Sequence, residues 1–136
     1  MDLFKTLGIA SSGLKAQSGR MKVISENMAN SDSTAQRAGG DPYRRKITTF
    51  WRKFDRDIGA ETVQLGRVKQ DQTAFKTRYE PGNPAADSSG MVKLPNVNSL
   101  IETIDLREAQ RSYEANLSII TATRRMISRT IDIMRA

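Results

Sequence analysis

Leu3, Leu7, Ala10, Leu14, Gln17, Met21, Ile24 and Met28 punctuate the stretch LFKTLGIASSGLKAQSGRMKVISENM, residues 3–28. Seven of these eight positions are apolar, they alternate by fours and threes, and none is charged. That spacing puts them on one stripe of a helix, which must be covered by something else. Asp2 is placed to cap the first turn, its charge at the positive end of the helix dipole. The pattern stops at Asn30-Ser31-Asp32-Ser33-Thr34, which is turn chemistry. Asn27 and Asn30 read as helix-stop residues, with a contact between subunits as the alternative.

The other end of the chain repeats the design at greater length. Leu106, Gln110, Tyr113, Leu117, Ile120, Arg124, Ile127, Ile131 and Met134 again step by fours and threes. Ala115, Ile119, Ala122, Met126 and Ile133 form a second row beside them, a stripe wide enough to expect several neighbours. Ser99 and Glu102, shortly after Pro95, form a capping-box pattern that starts this helix. Acidic residues occupy its first half and arginines its last turns, the order that suits the dipole. Gln17 and Arg124, polar on their stripes, either set register between helices or reach solvent from the stripe edge.

Between the ends lie turn signals at Gly39-Gly40-Asp41-Pro42, Glu80-Pro81-Gly82-Asn83 and Asp87-Ser88-Ser89-Gly90. They separate short β-like runs at Ile47–Trp51, Thr62–Val68, Phe75–Tyr79 and Met91–Leu94. The expected fold is mainly α with a small β part. Long terminal helices pair in coiled-coil fashion around a middle of short strands and long loops. The expected division is 1–30, N-terminal axial helix; 31–96, loop plus small β-rich domain; 97–136, C-terminal axial helix. Phe50 and Trp51 are expected in the core of the middle domain.

The 136 residues contain neither histidine nor cysteine. The usual neutral-pH base, the thiolate nucleophile and the commonest zinc ligands are therefore missing. Asp55 and Asp57 sit among Arg52, Lys53 and Arg56, a surface charge cluster in preference to a catalytic pair. Gly39-Gly40 has no following Lys-Ser/Thr and is no phosphate loop. No catalytic, metal or cofactor residue is expected. No apolar run spans a membrane, and the N-terminus lacks the features of a cleaved signal.

The net charge of +7 raises nucleic acid as an alternative partner of a basic helical protein. Residues 37–96 hold twelve basic and seven acidic side chains, so most of the excess lies in the middle while both ends are nearly balanced. The helix seams are apolar, not cationic with interleaved aromatics, which disfavours nucleic acid. Arg44-Arg45-Lys46 reads as a phosphate grip, a solvated strand edge or a contact to an acidic neighbouring subunit, the last preferred.

Gly8, Gly13 and Gly19 interrupt the first helix, each at a cost of about 1 kcal/mol relative to alanine. Such a helix is weak alone, but small residues let other chain segments approach closely. Amphipathic helices commonly face the core of their own monomer. Here the small middle offers too little apolar surface to cover two such stripes. Both ends are therefore expected to be largely unfolded in a monomer and helical in a polymer.

Five motifs in order carry a family resemblance. They are Leu14 followed by Asn27-x-Ala29-Asn30 and Thr34; Asp41-Pro42-Tyr43-Arg44-Arg45-Lys46; Glu80-Pro81-Gly82-Asn83-Pro84; Pro95-Asn96-Val97-Asn98; and Arg111-Ser112-Tyr113-Glu114-Ala115-Asn116. Together they resemble the flagellar rod and hook axial proteins, from about Leu7 to Met134. After Thr34 many relatives go directly to glycine and an aromatic, whereas this chain has Ala35-Gln36-Arg37-Ala38-Gly39-Gly40. The resemblance implies a structural subunit of the basal-body proximal rod, exported unfolded and uncut by the flagellar type III apparatus. It implies polymerisation across the periplasm into the tubular shaft that transmits motor torque to the hook and filament. Implied partners are other copies, the rod proteins FlgB, FlgF and FlgG, and the rod-base adaptor FliE. Subunit packing would then fall to Leu3, Leu7, Leu14, Met21, Ile24 and Met28 on the first helix. On the second it would fall to Leu106, Tyr113, Leu117, Ile120, Ile127, Ile131 and Met134.

Overall fold

A computed structural model describes residues 2–135. Helix α1 spans Leu3–Ala29 and helix α2 spans Ser99–Arg135, and the two pack together. Between them come six short strands: β1 (Lys46–Ile47), β2 (Phe50–Asp55), β3 (Ala60–Leu65), β4 (Lys69–Gln70), β5 (Lys76–Tyr79) and β6 (Met91–Leu94). They do not join into one sheet. They form three separate antiparallel pairs, β1–β4, β2–β3 and β5–β6. Two of the four expected runs, Phe75–Tyr79 and Met91–Leu94, become partners of each other, with Thr77 opposite Lys93.

Local chemistry sets the helix ends. Asp2 Oδ1 accepts from the backbone N–H groups of Phe4 at 3.1 Å and Lys5 at 3.3 Å, as a cap should. At the far end Asn30 Nδ2 donates to the Glu26 carbonyl at 2.8 Å, and Ser31 Oγ donates to the Met28 carbonyl at 2.9 Å. Side chains thus satisfy the last carbonyls, and neither Asn27 nor Asn30 adopts a left-handed backbone. Helix α2 differs from its sequence reading. Asn98 Oδ1 accepts from the Leu100 N–H at 3.1 Å, so Asn98 is the cap. Glu102 does not fold back to complete a box with Ser99, because its carboxylate is engaged elsewhere.

The chain forms two compact units, each holding part of both helices. The first comprises the chain up to Met21, Thr49–Arg67 and the chain from Arg107 onward. Here α1 and α2 run antiparallel: Gly13 lies against Asn116, and Arg20 Nη2 is 3.7 Å from Glu108 Oε2, so the chain advances on one helix as it retreats on the other. The helix glycines mark close approaches of side chains, not of a passing backbone. A Cβ on Gly8 would lie 2.6 Å from Ile58, one on Gly13 3.0 Å from the Asn116 amide, and one on Gly19 2.7 Å from Leu65. The β2–β3 hairpin lies along α1, where Ser12 Oγ accepts from the Val63 N–H at 3.3 Å. Its turn is built by Asp55, whose Oδ1 accepts from the Asp57 N–H at 3.0 Å, and by Gly59 at φ 66°. Asp55 is thus a turn former.

Among the described residues of this unit, the buried apolar ones are Ala10, Ala16 and Ala109. Its large apolar side chains are predominantly half-buried or exposed. Phe50 and Trp51 are exposed, contrary to the expectation of a core, and Phe54 is exposed beside them in sequence. The reason is that a lone hairpin has no second layer to bury both its faces.

The second unit comprises Lys22–Thr48 and Val68–Leu106. It carries the larger buried side chains: Val23 and Ile24 from α1, Val92 from β6, and Pro95 and Val97 beyond it. In this unit α1 meets α2 through Asn27 and Glu102.

Candidate functional site

Two features of the structure could carry function: a buried polar junction in the second unit, and apolar faces without cover in the chain itself.

The junction is centred on Asn27 and Glu102, each only 1% exposed. Asn27 uses its full hydrogen-bonding capacity. Its Nδ2 donates to the Lys46 carbonyl at 2.9 Å and to Glu102 Oε2 at 3.1 Å. Its Oδ1 accepts from the Tyr43 hydroxyl and from the Lys46 N–H, both at 2.9 Å. Glu102 Oε1 accepts from Arg45 Nε at 2.6 Å. The same guanidinium lies 3.5 Å from Asp71 and 3.7 Å from Asp105. Asn96 closes the other side: its Oδ1 accepts from the Arg45 N–H at 2.7 Å, and its Nδ2 donates to the Asp71 carbonyl at 3.1 Å and to Thr73 Oγ1 at 2.9 Å.

The flanking cations are engaged as well. Arg44 donates to the carbonyls of Asp71 at 3.1 Å and Thr73 at 3.3 Å, and its guanidinium stacks 4.2 Å from the centre of the Phe75 ring. Lys46 Nζ pairs with Glu26 at 2.9 Å. Burial works against the Arg45 charge, but Glu102 and then Asp71 outweigh it and hold the guanidinium above its ordinary range. The Thr73 N–H and hydroxyl, followed by Arg45, hold Asp71 below the usual carboxylate range. Lys46 holds Glu26 below it too, and burial raises Tyr43.

The basic triplet 44–46 therefore contacts this chain's own carboxylates and carbonyls. Of the motif residues singled out from sequence, the structure brings Asn27, Tyr43, Arg44, Arg45 and Asn96 into this junction. Pro42 and Pro95 are buried beside it in sequence, and Asn98 caps α2. Ala29, Thr34 and Ala115 are exposed, Asn30 and Leu14 half-buried. Tyr113 and Asn116 belong to the other unit, where Asn116 lies over Gly13. Sequence reasoning missed Glu102, Asp71 and Thr73. The available signal was the triplet itself, three adjacent cations with a single nearby carboxylate, Asp41, which pairs with Lys93 instead.

The seam residues are graded. Ile24 is buried. Leu3, Leu7, Leu14, Met21, Met28, Leu106, Tyr113, Ile120 and Ile127 are half-buried. Leu117, Ile131 and Met134 are exposed, together with Ile119, Met126 and Ile133 of the second row. Exposure reaches 77% at Ile133, 76% at Met134 and 75% at Phe4 near the start of α1. In the second unit Leu100, Ile101 and Ile104 are also exposed. Large apolar side chains exposed in groups mark contact surfaces. Among the described residues there is no cluster able to hold a metal ion and no helix long and apolar enough to cross a membrane.

Comparison with known proteins gives the chain its family. Residues 7–35 match the family described as "Flagella basal body rod protein", and residues 88–133 match "Flagellar basal body rod FlgEFG protein C-terminal". The chain is 52% identical over 128 residues to the flagellar basal-body rod protein FlgC of Agrobacterium fabrum, covering 94% of this chain and 92% of the relative. The chain belongs to the FlgC family of flagellar basal-body rod proteins. It is also 38% identical to the FlgC protein of Salmonella typhimurium over 98% of both chains. To that of Bacillus subtilis it is 34% identical over 98% of this chain and 99% of the relative. As a FlgC-family member it is a structural subunit of the flagellar basal body, not an enzyme, and it associates with other rod components. Nothing supports the nucleic-acid alternative, whose best anchor, the triplet 44–46, is spent inside the chain.

Proposed function

We propose that this subunit polymerises through α1 and α2. Segments 1–30 and 97–136 act as the axial wall of the shaft, and segment 31–96 is carried outside it. The observation that supports this most is the distribution of apolar surface. The first unit buries three alanines while Leu117, Ile119, Met126, Ile131, Ile133 and Met134 stay exposed along α2. Complete burial of a large apolar side chain yields roughly 1.5–3 kcal/mol. Six partly exposed ones offer on the order of 5–10 kcal/mol to a neighbouring subunit before the ordering cost of association. Membership of the FlgC family makes further copies and the rod proteins FlgB, FlgF and FlgG the natural neighbours, with the adaptor FliE at the base. Export through the flagellar type III apparatus without cleavage, followed by assembly across the periplasm, completes this reading.

Met126→Asp tests it. Met126 is exposed, so the charge leaves the fold of the single chain intact but cannot enter a dry contact between subunits. Secretion should continue while incorporation into basal bodies and motility are lost. Normal incorporation and swimming would remove this face from the assembly.

A further inference from the structure

The apolar stripes of α1 and α2 do not by themselves define how the two helices are paired. Both repeat every three and four residues, and in the first unit Gly13 of α1 lies against the Asn116 side chain of α2. A slip of one heptad re-pairs apolar residues with apolar residues at little loss. Only a group that finds its partners in a single register can forbid the slip.

We propose that Asn27, Arg45 and Glu102 are positioning residues that form a polar register lock, admitting one antiparallel pairing of α1 with α2. Asn27 and Glu102 are fully buried; Tyr43 and Lys46 take three of the four Asn27 hydrogen bonds, and the fourth, from Asn27 Nδ2 to Glu102 Oε2, forms only when position 27 faces position 102. A heptad slip places Ala109 or the non-helical Pro95 across from Asn27. Neither side chain offers an acceptor. The slip also leaves the Glu102 carboxylate without Asn27. A buried, half-satisfied polar network is worse than an apolar one, so the wrong register is penalised even where its apolar contacts are good. Arg45 anchors the lock to the middle segment through its own N–H on Asn96 and its guanidinium beside Asp71 and Asp105. The lock concerns this chain's own helices and stands whether or not their outer faces meet other subunits.

The absence of cysteine allows a direct readout. Val23→Cys with Leu106→Cys, one turn from the Asn27–Glu102 contact on each helix, reports the observed register. Val23→Cys with Tyr113→Cys reports a one-heptad slip. In the otherwise unaltered full chain the first pair should oxidise at least about tenfold more completely than the second. With Glu102→Leu the selectivity should collapse towards equal cross-linking while helix content by circular dichroism is kept, since Arg45 retains Asp71 and Asp105. Glu102→Gln, which still accepts from Asn27, should keep most of the selectivity. Asn27→Leu combined with Glu102→Leu removes the polar pair altogether and should fold without choosing a register. Retained selectivity in either leucine variant would show that the apolar seam sets the register and overturn the proposal. Loss of the helical signal in both would overturn it too, by showing these residues to be needed for folding and not for choice of register.

Discussion

Asn27→Ala is the substitution on which the junction can be weighed most cleanly. Asn27 is buried and makes four hydrogen bonds, to the Lys46 N–H and carbonyl, the Tyr43 hydroxyl and the Glu102 carboxylate. A neutral hydrogen bond contributes about 0.5–1.5 kcal/mol net and one to a charged group about 1.5–3. Tyr43 and Lys46 are half-buried and recover part of their loss from water, whereas the fully buried Glu102 oxygen does not. The expected cost is about 3 kcal/mol, close to the sum of one charged and three partly rescued neutral bonds. With a urea slope of about 2 kcal/mol/M, the unfolding midpoint falls by about 1.5 M. The Lys46 amide, whose acceptor disappears, should also lose protection in hydrogen exchange. Asn30→Ala is the control. Asn30 spends its side chain on the local Glu26 carbonyl, so its loss should cost only about 0.5–1 kcal/mol. Equal costs for the two substitutions, or unchanged protection at Lys46, would refute the tertiary role assigned to Asn27 and restore it as a helix-stop residue.

The cap of α2 is tested by a pair of alanine substitutions. Asn98→Ala should cost about 1 kcal/mol in urea unfolding and Ser99→Ala close to nothing, because only Asn98 accepts from the first helical turn. Gly66→Ala should displace Trp51, whose indole lies where the new methyl group must go. Trp51 is the only tryptophan, so its fluorescence should shift, with a loss of about 1–3 kcal/mol from overpacking. Stability should be flat from about pH 5 to 8, since there is no histidine to titrate. Glu26, Asp41, Asp71, Glu80 and Asp87 all sit below their ordinary values when folded, each held there by hydrogen bonds or a paired cation. As acid is added the unfolded chain takes up protons first, so stability is complete above about pH 4.5 and falls as the pH drops through the folded values. A midpoint in urea that rises between pH 5 and pH 3 would contradict this.

The helices were legible because their signal is local and periodic. The stripe from Leu3 to Met28 and its interruption at Asn30 place α1 within a residue or two of its ends; for α2 the start signal at Ser99 and the end of the second stripe at Met134 do the same. The family motifs were legible as strings, but what they do was not. Arg45 lies 57 residues from Glu102 in sequence, and Asn27 lies 75 residues from it, so no local pattern joins them. Glu102 misled because Ser99-x-x-Glu102 has the spacing of a capping box, and only the tertiary partners show that its carboxylate is taken. Phe50 and Trp51 misled because an aromatic pair in a strand normally implies a layer to cover it, and a solitary hairpin provides none. The middle segment was read only as a small β-rich domain because β-like runs reveal strands without their partners; β1 and β4 pair through two residues each.

The proposed assembly role rests on apolar flanks being covered by other subunits. The cysteine-free chain makes this measurable as the rate of thiol labelling of Ile133→Cys, on the exposed end of α2. Gly82→Cys, where a Cβ meets open space, supplies the rate of a free site in the monomer. In dilute monomer Ile133→Cys should label about as fast as Gly82→Cys, and in isolated basal bodies at least about tenfold more slowly, because a subunit contact excludes water and reagent from its core. An Ile133→Cys rate in basal bodies equal to that in the monomer would mean that this flank stays bare in the rod.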